Sequence, residues 1–126
     1  MNVSFITRRT FAKSTLILAA SALASTPAFA HAVPKSMDPA PDSTVPAPSQ
    51  ISIVFSEELE PKFSVIKLAD STGKIVSTAT AVLDKANAKH LTLALPKLSP
   101  GVYTVQWTSS ATDGHKLSRS YNFTIK

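Results

Sequence analysis

The sequence contains no cysteine and only three glycines against nine prolines. Without cysteine the chain has no disulfide framework, no thiolate-bound zinc or iron–sulfur cluster and no thiol nucleophile. The few glycines form neither a phosphate-binding loop nor a collagen-like repeat. No long apolar run occurs after residue 30. The total of 126 residues fits one domain. These absences direct attention to histidine, carboxylate and backbone chemistry.

The first thirty residues have the features of an export signal. Three basic residues (Arg8, Arg9 and Lys13) precede the apolar run Leu16–Ala24, and acidic residues are absent from this segment. The run is shorter than the roughly 20 apolar residues that span a bilayer. Ala28–Ala30 then supplies the small-residue pattern of a signal-peptidase site.

This order of features predicts that residues 1–30 form a signal peptide, cleaved after Ala30. An uncleaved membrane anchor is the alternative. The segment Thr7–Lys13 also matches a twin-arginine export motif, which would carry an already folded chain. We therefore expect a periplasmic domain over residues 31–126, with His31 as its first residue.

The charge of this domain argues against nucleic acid as a partner. Residues 31–126 hold 10 basic and all 8 acidic side chains, so most of the formal charge of +5 belongs to the predicted signal peptide. The remaining lysines are scattered among acids, whereas a nucleic-acid site needs a clustered basic face.

Alternating apolar residues predict an all-β fold. Turn residues separate the runs, so we expect about seven strands in a small Ig-like Greek-key β-barrel or sandwich. Tyr103, Trp107 and Phe123 fall on the predicted core face. Asp38–Ser49 is rich in proline and predicts an extended loop, and Asp84–Lys89 predicts either a helical turn or a hairpin loop. The predicted strands are Ile51–Phe55, Phe63–Leu68, Lys74–Thr80, His90–Leu95, Val102–Thr108 and Tyr121–Ile125, with an edge strand near Ala32–Met37.

His31 becomes a candidate metal ligand once cleavage gives it a free α-amine. That amine and imidazole Nδ1 can close a six-membered chelate ring on a metal ion. The amine has a free pKa of about 7.7–8.0, and a strongly nitrogen-binding cation displaces its proton. Cu(II) heads the divalent series at such sites and favours tetragonal N,O geometry. Taken alone, a histidine at this position can also be accidental.

Asp113-Gly114-His115 is the second candidate. In an extended segment residues i and i+2 point to the same side, so Asp113 and His115 can face one point. Taken alone, the tripeptide also fits an ordinary polar turn, because Asp-Gly is a common turn pair. Together with His31 it completes a set of one amine, two imidazoles and one carboxylate that suits Cu(II).

The sequence supports a hydrolytic enzyme less well than a copper site. No Gly-x-Ser-x-Gly motif is present, and the Ser109–Ser110 pair fits a polar strand face. Glu57, Glu58 and Glu60 fit a solvated loop better than a glycosidase pair. We interpret His90 as a surface residue at the start of a strand, and Met37 as a packing residue.

Across residues 31–126 the chain resembles the CopC family of periplasmic copper-binding proteins. The residues that carry the resemblance are His31, Ile53–Glu57, Gly101–Trp107, Asp113–His115 and the closing Tyr121-x-Phe123-x-Ile125. The resemblance implies an Ig-like Greek-key barrel that holds one Cu(II) with the amine and imidazole of His31, the carboxylate of Asp113 and the imidazole of His115. It also implies a monomeric, non-enzymatic role in copper buffering, resistance or delivery, with a CopD-type inner-membrane partner.

The chain departs from the family pattern at three places. Val33 stands where some members carry another histidine. Met37 is the only methionine of residues 31–126, whereas members often have a methionine-rich loop for Cu(I). Lys116 and Arg119 replace a usual proline and glycine after the Asp-Gly-His motif.

Two other classes of function remain open at this point. An N-terminal histidine brace also resembles the copper centre of lytic polysaccharide monooxygenases, although the chain is short and offers a carboxylate ligand. A metal-free Ig-like adhesion or scaffold module is the second alternative.

Overall fold

The computed structural model describes residues 31–126, which form eight β-strands and one 3₁₀ turn. The predicted signal peptide over residues 1–30 lies outside the described residues. Among the described residues, no helix is long and apolar enough to cross a membrane. The strands are β1 (Pro34–Asp38), β2 (Thr44–Val45), β3 (Gln50–Phe55), β4 (Val65–Ala69), β5 (Val82–Asp84), β6 (Asn87–Ala94), β7 (Gly101–Ser110) and β8 (Lys116–Ile125), and the 3₁₀ turn is Pro61–Phe63.

The strands form two four-stranded sheets. The first sheet has the order β1-β3-β6-β5, and the second has the order β2-β8-β7-β4. Neighbouring strands are antiparallel except for β2 and β8, which are parallel. This two-sheet arrangement confirms the all-β prediction. The longest pairing joins β7 and β8 from Gly101↔Ile125 to Ser110↔Lys116, so these strands form one long hairpin.

The core lies between the sheets and uses the alternating residues that the sequence indicates. Because side chains alternate across a strand, every second residue of β3, β6, β7 and β8 points inward. Phe55 and Trp107 pack edge to face with ring centroids 5.5 Å apart, and Tyr103 stacks on Phe123. The predicted core aromatics are therefore confirmed as buried. The largest fully buried side chains include Phe55, Phe123, Ile51, Ile53, Ile66, Leu68, Leu91, Leu93 and Val105.

The predicted strand over Lys74–Thr80 is wrong. Ile75 makes only an isolated bridge to Ala69 across a turn, and the strand that follows is β5. The N–H groups of Val76 and Ser77 donate to the Leu68 carbonyl, and the Leu68 N–H donates to the Ser77 hydroxyl. These bonds occupy the N–H and carbonyl of Leu68 in β4, which a regular strand pairing with Lys74–Thr80 would need.

The remaining comparisons between prediction and structure concern the ends and edges of strands. Phe63 belongs to the 3₁₀ turn, and its strand begins at Val65. The proline-rich segment contains the short strand β2 in addition to extended loop. Asp84 at the end of β5 pairs with Asn87 at the start of β6, so the turn within Asp84–Lys89 is a hairpin loop, the second of the two sequence alternatives. The predicted edge strand exists as β1.

Candidate metal centre

His31 lies at the end of the sandwich where the β7–β8 hairpin turns. The next residue, Ala32, is buried, and its carbonyl accepts a hydrogen bond of 2.7 Å from the Ser109 hydroxyl. Val33 then pairs with Ser56, since its N–H donates to Ser56 Oγ and its carbonyl accepts from the Ser56 N–H. These bonds hold the backbone beside His31 while His31 itself stays exposed.

Asp113 and His115 lie in the turn between β7 and β8. The Gly114 N–H donates to the Ala111 carbonyl, and the Ala111 N–H donates to the His115 carbonyl. Gly114 has a φ of 90°, a conformation that glycine adopts without a Cβ clash. Asp113 Oδ1 accepts a hydrogen bond of 3.0 Å from the His115 N–H. The turn is therefore closed by its own backbone and one carboxylate.

The three predicted ligands meet through two pairwise contacts. The imidazole rings of His31 and His115 lie edge to face, with centroids 5.4 Å apart and an interplanar angle of 84°. Asp113 Oδ2 lies 3.0 Å from His115 Nδ1. Both side chains of this second pair are partly exposed, at 37% for His115 and 39% for Asp113. His115 is thus the residue that connects the other two.

The side chains alone do not form a complete metal cage. Within residues 31–126, no group of three or more His, Asp or Glu side chains is placed to hold an ion. The fourth predicted donor is the α-amine of His31, which is a backbone group created only by cleavage. Two imidazoles, a carboxylate and an amine match the nitrogen and oxygen donors that Cu(II) prefers. The ligand set therefore remains a prediction that the residues present fit chemically.

The turn also sets the ionisation of Asp113. The backbone N–H of His115 donates to the carboxylate and lowers the pKa of Asp113, desolvation partly opposes this, and the His115 side chain lowers the pKa further. A lowered pKa keeps the carboxylate ionised at neutral and mildly acidic pH. Asp113 can therefore present a negative charge to a cation over the whole physiological range.

His90, the third histidine, lies inside β6 and not at the start of a strand, where the sequence analysis places it. It is half-buried on the outer face of the first sheet, where its Nε2 lies 2.7 Å from Ser52 Oγ. Its Nδ1 lies 3.4 Å from Asp84 Oδ2. This contact is one of the causes that lower the pKa of Asp84, after the larger effect of the Ala86 N–H donor. His90 thus belongs to a separate polar network away from the β7–β8 turn.

Ser109 and Ser110 are the residues near the site that sequence reasoning misjudged. Both are buried rather than part of a polar strand face. Ser110 N–H donates to Ser64 Oγ, which joins β7 to the start of β4. The alternation in β7 breaks here because the segment that leads from β3 to β4 covers the end of the second sheet, with Glu60 N–H donating to the Ser110 carbonyl. The pattern of residues in β7 therefore could not predict that the segment between β3 and β4 buries Ser110.

We expect Ser109→Ala to destabilise the fold by about 1–3 kcal/mol, because the buried Ala32 carbonyl would lose its hydrogen-bond donor. The same change should weaken metal binding modestly, since the backbone beside His31 would be less fixed. Chemical denaturation measures the first effect. Ser120→Ala, at an exposed position on β8, is the control and should shift stability by less than about 0.5 kcal/mol. Equal stability of the two variants would contradict this role for Ser109.

The fold and this histidine-bearing end together define a small β-sandwich with a candidate copper-type site. Residues 34–126 match the CopC domain family, and the chain belongs to that family. It is 36% identical over 107 residues to copper resistance protein C from Escherichia coli, covering 79% of this chain and 84% of that protein. It is 35% identical over 99 residues to the copper transport protein CutJ from Bacillus subtilis, covering 77% of this chain but 18% of CutJ.

A solved structure supports the same assignment. The crystal structure of CopC from Methylosinus trichosporium OB3b superposes with a TM-score of 0.72 at 32% identity. The match covers 76% of this chain and 94% of that one. The predicted family and fold class are thereby confirmed.

Proposed function

We propose that the exported chain begins at His31 and binds one Cu(II) ion with His31, Asp113 and His115. The α-amine and imidazole of His31 would supply two nitrogens, His115 a third, and Asp113 a carboxylate oxygen. Cu(II) is the cargo of this protein and not a catalytic cofactor. Its proposed role is non-catalytic: it buffers copper or passes it on in the periplasm.

The observation that carries the proposal is the approach of the two histidine rings. His31 and His115 are 84 residues apart in sequence, yet their ring centroids lie 5.4 Å apart. The carboxylate of Asp113 lies beside the second ring. Packing does not require these exposed or partly exposed groups to meet, so their convergence supports a shared ligand.

The available side chains favour Cu(II) over Cu(I). Cu(I) is held by soft thioether and thiolate ligands. Residues 31–126 contain no cysteine, and Met37 is their only methionine. Met37 is half-buried and packs against the hydrophobic core. Residues 31–126 therefore lack the several sulfur ligands that would hold Cu(I).

The proposed recipient of copper is a CopD-type protein in the inner membrane. Support comes from the relative CutJ, a copper transport protein in which the region similar to this chain is less than a fifth of the whole. A domain of this kind is thus covalently joined to a larger copper transport protein in that relative. The present chain would act on such a partner as a separate monomeric protein.

A Cu(II) titration across pH tests this function. We expect one equivalent to bind near neutral pH, with affinity falling as the pH drops, because protons compete with copper for the amine and imidazole nitrogens. Protonation of Asp113 should weaken binding only at still lower pH, because the pKa of its carboxyl group is lowered. Competition with a chelator of known affinity, followed by calorimetry, measures the profile. Absence of a tight equivalent would leave a metal-free β-domain.

A further inference from the structure

A shallow groove of about 630 Å³ crosses the outer face of the second sheet. We call it the basic groove, because two of its lining residues are cations, Lys67 on β4 and Arg119 on β8. Its floor is polar: Thr108 and Ser118 share a hydrogen bond of 2.7 Å across β7 and β8. Its remaining lining includes Val65, Gln106 and Ser120.

The basic groove lies on β4, β7 and β8, and the turn between β7 and β8 carries the candidate metal centre. Val65 lies opposite Thr108 on β7, and Thr108 lies opposite Ser118 on β8. Two residues before Ser118, Lys116 follows the proposed ligand His115 and places its Nζ 4.5 Å from the centroid of the Phe63 ring. Phe63 and Lys116 thus form an exposed aromatic ring with an ammonium group above it, and each lies two residues from a groove-lining residue, on the side of the proposed ligand His115.

The apolar groups at this end are unusually open to solvent. Phe63 in the 3₁₀ turn is 52% exposed, and Val65 at the start of β4 is 37% exposed. An exposed aromatic residue beside cations is typical of protein docking surfaces, where aromatic and arginine residues are enriched. Among residues 31–126, the Phe63 ring contacts the Lys116 cation rather than another aromatic ring.

The positive charge of this face is not neutralised within the described chain. In residues 31–126, no lysine or arginine lies within 4 Å of a carboxylate, and the only ion pairs involve His90 and His115. Arg119 instead donates to the carbonyl of its neighbour Ser118. The acidic residues closest in sequence to Lys67 and Lys116 are Asp70 and Asp113, and each carboxylate accepts backbone hydrogen bonds within its own turn. The groove thus presents net positive charge.

We propose that the basic groove is the docking surface for an acidic, extended segment of the protein that receives copper. Acidic side chains of that segment would pair with Lys67, Lys116 and Arg119, and an apolar residue would pack on Phe63. Complementary charge steers encounter and fixes orientation, which here would bring an acceptor to the His31–His115 end. This inference rests on the proposed copper function. The concave polar floor favours a peptide segment over a flat lipid surface.

An NMR titration tests the groove on copper-free protein that starts at His31. The probe is a synthetic peptide of alternating glutamate and leucine, compared with the same peptide carrying glutamine for glutamate. We expect amide shifts confined to β4, β7, β8 and the 3₁₀ turn, and binding that weakens with salt because exposed charges are screened. The glutamine peptide should bind at least about tenfold more weakly.

Two variants and one matched control sharpen this test. Lys67→Glu and Phe63→Leu should each weaken peptide binding by about three- to tenfold. Lys97→Glu reverses an exposed charge in the β6–β7 connection, at the opposite end of the molecule, and should leave peptide binding unchanged. Lys67→Glu should keep its Cu(II) affinity, because Lys67 is no proposed ligand.

Several results would overturn the groove assignment. Shifts spread over both sheets, equal binding of the glutamine peptide, or an equal loss in Lys97→Glu would each contradict it. Binding to phosphatidylglycerol vesicles without binding to the peptide would assign the face to a membrane instead. Failure of Cu(II) binding in a separate titration, with peptide shifts still confined to the groove, would contradict the copper function while supporting an acidic-peptide site.

Discussion

A single residue retained before His31 is expected to lower the Cu(II) affinity of the protein by at least about 100-fold, or about 2.7 kcal/mol. The extra peptide bond converts the α-amine of His31 into an amide, which removes one donor and the six-membered chelate ring. Loss of a group that only hydrogen-bonds to a metal ligand costs about 10–100-fold in metal affinity, so loss of a donor that binds the metal directly should cost at least the upper figure. Competition titration of the two forms, starting at Ala30 and at His31, measures the ratio.

The control for this comparison is stability. His31 is exposed, and the backbone anchor at Ala32 is independent of the amine. The two forms should therefore unfold at the same denaturant concentration in the absence of metal. Equal copper affinities would remove the α-amine from the site and would contradict the proposal that cleavage after Ala30 creates it.

Replacing His115 by alanine is expected to produce a loss of similar size. His115 contacts both His31 and Asp113, so the substitution removes one nitrogen donor and the partner of the carboxylate. We expect Cu(II) affinity to fall by about 100-fold or more, measured by the same competition titration. Stability should change little, because the side chain is partly exposed and lies in a turn closed by backbone hydrogen bonds.

His90→Ala is the matched control, because it removes a histidine of similar exposure from the other sheet. Its contacts are Ser52 and Asp84, neither of which is part of the proposed site. Its Cu(II) affinity should equal that of the parent protein. An equal loss in both histidine variants would indicate non-specific binding to surface imidazoles and would contradict the assignment of His115.

Much of the fold can be predicted from the sequence, because burial of one sheet face imposes a period of two on the chain. Ile51, Ile53 and Phe55 show this pattern and are all buried in β3. The run over Lys74–Thr80 shows that periodicity alone does not define a strand, since Ile75 finds only an isolated partner. The short strand β2 escapes prediction for the opposite reason, because two residues carry no period and its pairing with β8 is distant in sequence.

The sequence predicts the residue types of the candidate site better than it predicts the residues that hold them in place. The motif Asp113-Gly114-His115 and the predicted mature start at His31 are visible in the sequence. In the structure the imidazole rings of His31 and His115 lie in contact. The hydroxyl of Ser109, which anchors Ala32 across 77 residues, follows from packing between the sheets and has no local signal. The network around His90 depends likewise on the pairing of β3 with β6.

The most direct test of the copper assignment is electron paramagnetic resonance of the protein that starts at His31, loaded with one equivalent of Cu(II). The proposed ligands predict a tetragonal spectrum with coupling to three nitrogens: the amine and the two imidazoles of His31 and His115. His115→Ala should reduce the coupling to two nitrogens. A spectrum of aqueous Cu(II), or one unchanged by the substitution, would contradict the proposed site.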